Sequence, residues 1–333
     1  MKQSVFALVD ANNFYATCES AFDPSLRGRP VVVLSNNDGC VVARSAEAKA
    51  LKIPMGAPIH EWRDFCQEHG VAIKSSNYTL YGDMSARMLT VLQQMVPYVE
   101  SYSIDESFLD LTGMSDLTLF GYQLREALRR RALITCGIGI GPTKTLAKFA
   151  NLIAKKHHEY GGVFNMQDHS EAFIDKLMSQ YPVGEVWGVG PRLSTKLKDC
   201  GIETVLDLKH CDHGAIRKNY NVVLERTVRE LQGVACIELD DTTRPKDQIM
   251  VSRSFGKVLT DYQDIRSAMI HHMTRGAEKL RAQNSEAQHV YVLIRTNPFR
   301  VDDLQYRRTE LVSLASPTSD SRILITAALK GLK

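Results

Sequence analysis

No two of the seven cysteines (Cys18, Cys40, Cys66, Cys136, Cys200, Cys211, Cys236) stand in a C-x-x-C pair. An odd count without metal-ligand spacing excludes a disulfide scaffold and a zinc finger, and fits reduced thiols in the cytoplasm. Apolar runs of membrane-spanning length are missing, as is a signal-peptide core behind Met1, so a cytoplasmic protein without a membrane is expected. Charge of one sign is also scarce. The 333 residues carry a formal net charge of +3, too small to identify a partner. Its distribution says more. Residues 241–333 hold 15 Lys/Arg against 10 Asp/Glu, and the first 240 hold 26 against 28. A basic C-terminal module on an acid-bearing body fits a polyanion ligand beside a metal site. With 44% hydrophobic and 24% charged residues, the chain reads as two to four ordinary globular modules.

The most informative stretch is Tyr102-Ser103-Ile104-Asp105-Glu106-Ser107-Phe108-Leu109-Asp110-Leu111. A strand would send neighbouring carboxylates to opposite faces, whereas a tight turn at Asp105-Glu106 lets both converge on one cation. A third acid, Asp10, ends the apolar strand Val5–Val9. A carboxylate at a strand end plus a carboxylate pair on a hairpin predicts a hard-oxygen site for two Mg²⁺ ions and hence phosphoryl or nucleotidyl transfer.

Phe14 and Tyr15 open a helix behind Asp10, Phe14 as core and Tyr15 placed to pack on a nucleotide sugar. A hairpin pairs Pro30–Leu34 with Cys40–Arg44 across Ser35-Asn36-Asn37-Asp38-Gly39. Arg44 and Lys49, at a strand end and on the following helix, are placed to reach a triphosphate. Met84, Met88, Leu89, Leu92 and Met95 recur at helical spacing, as core. A helix over 116–131 and a strand over 132–140 follow. Gly137, Gly139 and Gly141 match neither the dinucleotide fingerprint nor the P-loop. Behind them Lys144 and Lys148 stand four apart, a repulsive spacing unless an anion lies across them, which predicts phosphate contact. Residues 186–208 carry a helix–hairpin–helix pattern whose Gly188 and Gly190 offer backbone N–H groups to DNA phosphate. Helix 220–232 closes that module, and Leu239–Pro245 reads as a linker. The last module reads β-α-β-β-α, from strand Gln248–Gly256 through helix 262–283 and strands 288–296 and 306–314 to a helix from Asp320. Arg253, Lys257, Arg295, Arg300, Arg307 and Arg308 lie on or beside its strands.

Val9-Asp10-x-x-x-Phe14-Tyr15-Ala16, Ser103-Ile104-Asp105-Glu106, Gly141-x-x-Lys144-x-x-Ala147-Lys148 and the Gly188/Gly190 hairpin resemble the Y-family translesion DNA polymerases. With Ser35–Arg44 and Phe255-Gly256 they look most like the UmuC type, the catalytic subunit of DNA polymerase V. The resemblance implies an α+β right hand. Its palm would occupy 1–11 and 81–168, the fingers 12–80 and the helix–hairpin–helix thumb 169–238. A linker at 239–247 and a little finger at 248–333 would complete it.

Carried over by residue, Asp10 and Asp105 would bridge two Mg²⁺, Glu106 would bind the primer-side ion, and the Ala11 carbonyl would complete the nucleotide-side ion. Tyr15 would be the steric gate against a ribose 2′-OH. Phe14, Arg44, Lys49 and Lys155 would contact the nucleotide, and Lys144, Lys148, Gly188, Gly190, Arg253 and Arg295 the DNA. The family's Tyr-x-x-Arg on the fingers helix is replaced by Ala46-x-x-Lys49, which offers a point charge instead of a bidentate fork. Implied partners are primed DNA and dNTPs, a UmuD′-like dimer, a recombinase filament and a sliding clamp. The family's little finger is β-α-β-β-α-β, so the sequence leads one to expect an incomplete domain lacking its last strand and the clamp-binding tail, with poor processivity. Two readings follow: an error-prone, SOS-type polymerase, or a catalytically weak DNA-binding remnant that titrates partners.

Overall fold

The computed structural model describes residues 4–240, 245–256, 258–300 and 302–333, which divide into two compact units, 1–241 and 242–333. The expected linker falls partly on 241–244, and Lys257 is a single position; both lie outside the described residues.

The first unit is built on a five-stranded sheet in the order Val99–Ser101, Glu106–Asp110, Phe6–Ala11, Cys136–Gly141, Val163–Asn165, antiparallel except for the last, parallel pair. Its central strand is apolar from Phe6 to Val9 and buried on both faces. One face packs under helices Tyr78–Gln93 and Leu117–Ala132, with Met84, Met88 and Leu92 in the core as their spacing predicts. The strand expected from residue 132 begins only at Cys136. Leu133 takes a left-handed conformation (φ 56°) that ends the preceding helix, and Ile134 turns into the core before the ladder starts.

The other face carries helix Lys144–Lys156. Gly137, Gly139 and Gly141 owe their presence to it. A Cβ on Gly139 would lie 2.0 Å from the Asn151 backbone nitrogen and 2.3 Å from the Ala147 carbonyl oxygen. The glycine run is therefore what lets this helix lie directly on the sheet.

The expected hairpin forms between Val31–Leu34 and Val41–Arg44, and Ala72–Ser75 joins it in parallel to make a three-stranded sheet with its own small core. Helix Phe14–Phe22 buries Phe14, Ala16 and Cys18 in the main core, so a boundary at residue 12 does not follow the packing. A third core joins helix Lys144–Lys156 to the short helices Glu171–Gln180, Pro191–Lys198, Val205–Lys209, His213–Asn219 and Val222–Leu231.

The second unit pairs Ala287–Arg295 with Arg307–Thr318 and packs helices Tyr262–Ala282 and Ser321–Leu332 against that pair. The strand expected at Gln248–Gly256 is not formed. Its apolar residues cluster at Ile249-Met250-Val251 instead of alternating, Met250 is 77% exposed, and the segment pairs with neither strand. The described residues thus read α-β-β-α, not β-α-β-β-α.

Candidate active site

Strand register brings the acids together. Asp10 and Glu106 are direct antiparallel partners, so both side chains project from the same face of the sheet. Asp105 is the last residue of the turn that feeds Glu106 into its strand, and its carbonyl accepts the Ala11 N–H at 2.9 Å. Ser103 shapes that turn. Its hydroxyl accepts from the Glu106 N–H (3.0 Å) and donates to Asp105 Oδ1 (2.7 Å), while the Glu106 carbonyl accepts the Tyr102 and Ser103 N–H groups. Ser103 was not foreseen as a site residue, although a serine two and three residues before a pair of acids is a recognisable turn signal.

Like charges placed opposite in a sheet repel, and two lysines from helix Lys144–Lys156 offset that. Lys155 Nζ lies 2.6 Å from Asp10 Oδ1, and Lys148 Nζ 2.8 Å from Glu106 Oε1. Seven residues apart, they share one face of the helix. Asp10 has its carboxyl pushed above the usual range by burial. Lys155 pulls it back, and Glu106 and Asp105 push in the same direction as burial. Lys49 is pushed down by burial and then by Arg44 and Lys155, with Asp10 acting oppositely, so three cations gather near Asp10. Arg44 gives Nη1 to the Ile53 carbonyl at 2.6 Å, and its buried Nε makes no hydrogen bond.

Tyr15 stacks on Tyr81 with centroids 4.3 Å apart and planes within 14°, and meets Tyr78 edge-on. Its hydroxyl is pushed up by burial first and by Tyr78 and Asp105 after that. Phe14, expected also among nucleotide contacts, is 4% exposed and belongs to the core.

Lys144 corrects the sequence reading. It is 2% exposed, ion-paired to Glu100 at 2.5 Å and bonded to the Glu238 carbonyl at 3.1 Å. It does not offer a free charge to phosphate. Lys148 likewise serves Glu106, so the repulsion between the two lysines is relieved by separate carboxylates and not by one anion spanning both.

The hairpin glycines sit at Trp187–Gly190, leading into helix Pro191–Lys198. Gly188 needs its positive φ (88°), and among the described residues nothing lies within 4 Å of a Cβ on Gly190. Trp187, also not foreseen, donates its indole N–H to Tyr102 Oη at 3.0 Å. Asp10, Glu106, Lys148, Lys155, Glu185 and Trp187 line a cavity of about 200 Å³. A larger, open cleft of about 490 Å³ between Lys196 and Tyr220 is mainly apolar and has no such charge set.

In the second unit Arg295 and Arg307 are direct cross-strand partners on an exposed face that also carries Tyr291, Leu293 and Leu311. Arg253 lies in the segment that forms no strand.

Two opposed carboxylates, a third on the adjoining turn and the burial that disfavours the charge of Asp10 make a hard-oxygen site that fits Mg²⁺. Among the described residues no three acids, histidines or cysteines converge closely enough to hold one ion, and Asp10 and Glu106 each pair with a lysine.

The model of the impB/mucB/samB family matches residues 9–151, and that of the family's C-terminal domain residues 246–333. Protein SamB of Salmonella typhimurium is 48% identical over 331 residues, covering 98% of this chain and 78% of the relative. Protein UmuC of the same species is 48% identical over 335 residues, with the same coverage. DNA polymerase IV of Moorella thermoacetica is 35% identical over 224 residues, covering 65% of this chain and 54% of the relative. A chimeric Y-family DNA polymerase superposes with a TM-score of 0.76 at 19% identity, over 98% of this chain and 92% of that one.

Proposed function

This chain belongs to the impB/mucB/samB family, the UmuC type of Y-family DNA polymerase, and we propose that Asp10, Asp105 and Glu106 are its catalytic carboxylates. It is a template-directed, error-prone translesion DNA polymerase, and nucleotidyl transfer in its family depends on metal. The cross-strand pairing of Asp10 with Glu106, beside the Asp105 turn, is the observation that carries the assignment.

Asp10, Asp105, Glu106 and the Ala11 carbonyl would hold two Mg²⁺. When bound, the ions lower the pKa of the primer 3′-OH and neutralise the leaving pyrophosphate. The chain's own residues do the rest. Lys155, Lys49 and Arg44 supply positive charge where the triphosphate arrives, with Lys155 exchanging Asp10 for phosphate oxygens. Tyr15, braced on Tyr81, blocks a ribose 2′-OH. The Gly188–Gly190 hairpin gives backbone N–H groups to DNA phosphates, which positions the duplex without reading it. Arg295 and Arg307, like charges in register, supply a second phosphate contact.

DNA and dNTPs are the substrates. A UmuD′-like dimer and a recombinase filament are the proposed partners, and the cytoplasm the proposed compartment. No helix among the described residues is long and apolar enough to cross a membrane. The register of Asp10 with Glu106, each held by a lysine, speaks against the reading as an inactive remnant.

Primer extension with Mg²⁺ and four dNTPs, on undamaged and abasic templates, tests this function. Extension by the parent and none by an Asp105→Ala, Glu106→Ala variant is expected. DNA binding without extension, with the partner proteins supplied, would restore the remnant reading.

A further inference from the structure

Lys148 does more than neutralise Glu106. Its Nζ lies 4.6 Å from the Tyr102 ring centroid and 5.3 Å from that of Trp187 while bonding Glu106 at 2.8 Å. The two rings meet edge to face at 5.4 Å and 89°, and are locked by the indole N–H to Tyr102 Oη bond. Tyr102 opens the Asp105-Glu106 turn, and its own N–H is held by the Glu106 carbonyl. Trp187 comes from far along the chain and is the residue immediately before Gly188 of the hairpin. An ammonium over two aromatic faces is held in direction as well as in charge.

We infer that Trp187 and Tyr102 are positioning residues: they fix Lys148 on Glu106, and so make the orientation of a catalytic carboxylate depend on the seating of the thumb hairpin. This rests on the polymerase reading above and adds a link within it. Trp187 touches neither nucleotide nor metal in this scheme. It acts through Lys148, and Lys148 acts through Glu106. When the hairpin is displaced, Lys148 loses one of the faces that aim it, and Glu106 loses its fixed partner.

A mutant cycle on the full chain decides the matter. Trp187→Leu and Lys148→Met are each expected to slow single-turnover nucleotide incorporation about tenfold, within the range of a partly desolvated cation–π contact. The DNA Kd should stay within about twofold of the parent, given that neither variant removes a backbone phosphate donor. The double variant should be no slower than the slower single one, as expected of residues on one path. Trp187→Phe, which keeps a ring face but not the N–H, should fall between parent and Trp187→Leu. Additive losses, a Trp187→Phe as slow as Trp187→Leu, or a defect lying in DNA affinity would overturn the inference.

A second readout needs no polymerisation. In a Trp62→Phe background, Trp187 is the sole indole. Its emission should change on Mg²⁺ titration in that chain and stay flat in Glu106→Gln and Lys148→Met. An equal response in Glu106→Gln would sink the link. Failure of the parent to extend a primer would instead count against the polymerase reading, whatever the emission shows.

Discussion

Lys155 Nζ lies 2.6 Å from Asp10 Oδ1, and this one contact ties the helix over the sheet to the central strand's only acid. Both groups keep some exposure, so the pair can exchange partners. If Lys155 moves to the triphosphate, Lys155→Met should raise the dNTP KM more than it lowers kcat. The loss in kcat/KM should be roughly ten- to a hundredfold, the value of a charge-assisted hydrogen bond at 1.4 kcal/mol per decade. Lys155→Arg should recover part of it. A fall in kcat alone would confine Lys155 to holding Asp10.

Tyr15 presents a ring whose position is not adjustable. It stacks on Tyr81, which is fully buried and donates its hydroxyl to Glu19 Oε1 at 2.7 Å. Tyr15→Ala should therefore admit ribonucleotides, lowering the dNTP-over-rNTP preference by about a hundredfold, or about 2.7 kcal/mol of exclusion. Tyr15→Phe should leave the preference near that of the parent. Steady-state kinetics with matched dNTP and rNTP pairs gives the ratio, and an unchanged ratio in Tyr15→Ala would remove Tyr15 from the gate.

How far the site could be read from sequence depended on the range of each interaction. The approach of Asp10 to the Asp105-Glu106 turn was legible because turn chemistry and strand patterning are local. Helix Tyr262–Ala282 and the Asp320 cap were legible for the same reason. Lys144 and Lys148 look equivalent in one dimension. Only the fold gives the first to Glu100, 44 residues away, and the second to Glu106, 42 away. The Gly137-x-Gly139-x-Gly141 run could be denied a nucleotide role but not given its packing role, which depends on how closely one helix approaches one strand. Trp187 met the same obstacle, since its partner Tyr102 lies 85 positions earlier. The strand expected at Gln248–Gly256 failed because a strand needs a neighbour, and composition cannot supply one.

Lys144 and Glu100 make a pair sealed from solvent, at 2% and 9% side-chain exposure. Glu100 Oε2 also accepts the Asp240 N–H at 2.8 Å, and Lys144 Nζ lies over the Phe108 ring. Removing one member of such a pair leaves a buried charge without its partner, so Lys144→Met should destabilise the first unit by about 3–5 kcal/mol. Lys144→Met with Glu100→Leu should cost less than Lys144→Met alone. Urea unfolding followed by Trp187 emission in the Trp62→Phe background measures this. A Lys144→Met chain as stable as the parent would show that the pair is no anchor.

His272 gives the second unit a pH dependence of definite sign. Burial pushes its pKa below the usual 6.5, and His271 and Arg253 push the same way. Its Nδ1 is buried and makes no hydrogen bond. The folded unit therefore keeps the ring neutral where the unfolded chain would protonate it. Between the two pKa values the unfolded state binds more protons, so stability rises with pH. The contribution is present above about pH 6.5, the ordinary value, and is lost as the pH falls through the lowered one. Protection of helix Tyr262–Ala282 against amide exchange should accordingly drop from pH 7 to pH 5, after correction for intrinsic rates. His272→Gln, which cannot be protonated, should flatten the profile. Equal slopes in parent and variant would assign the acid sensitivity of this unit to another group.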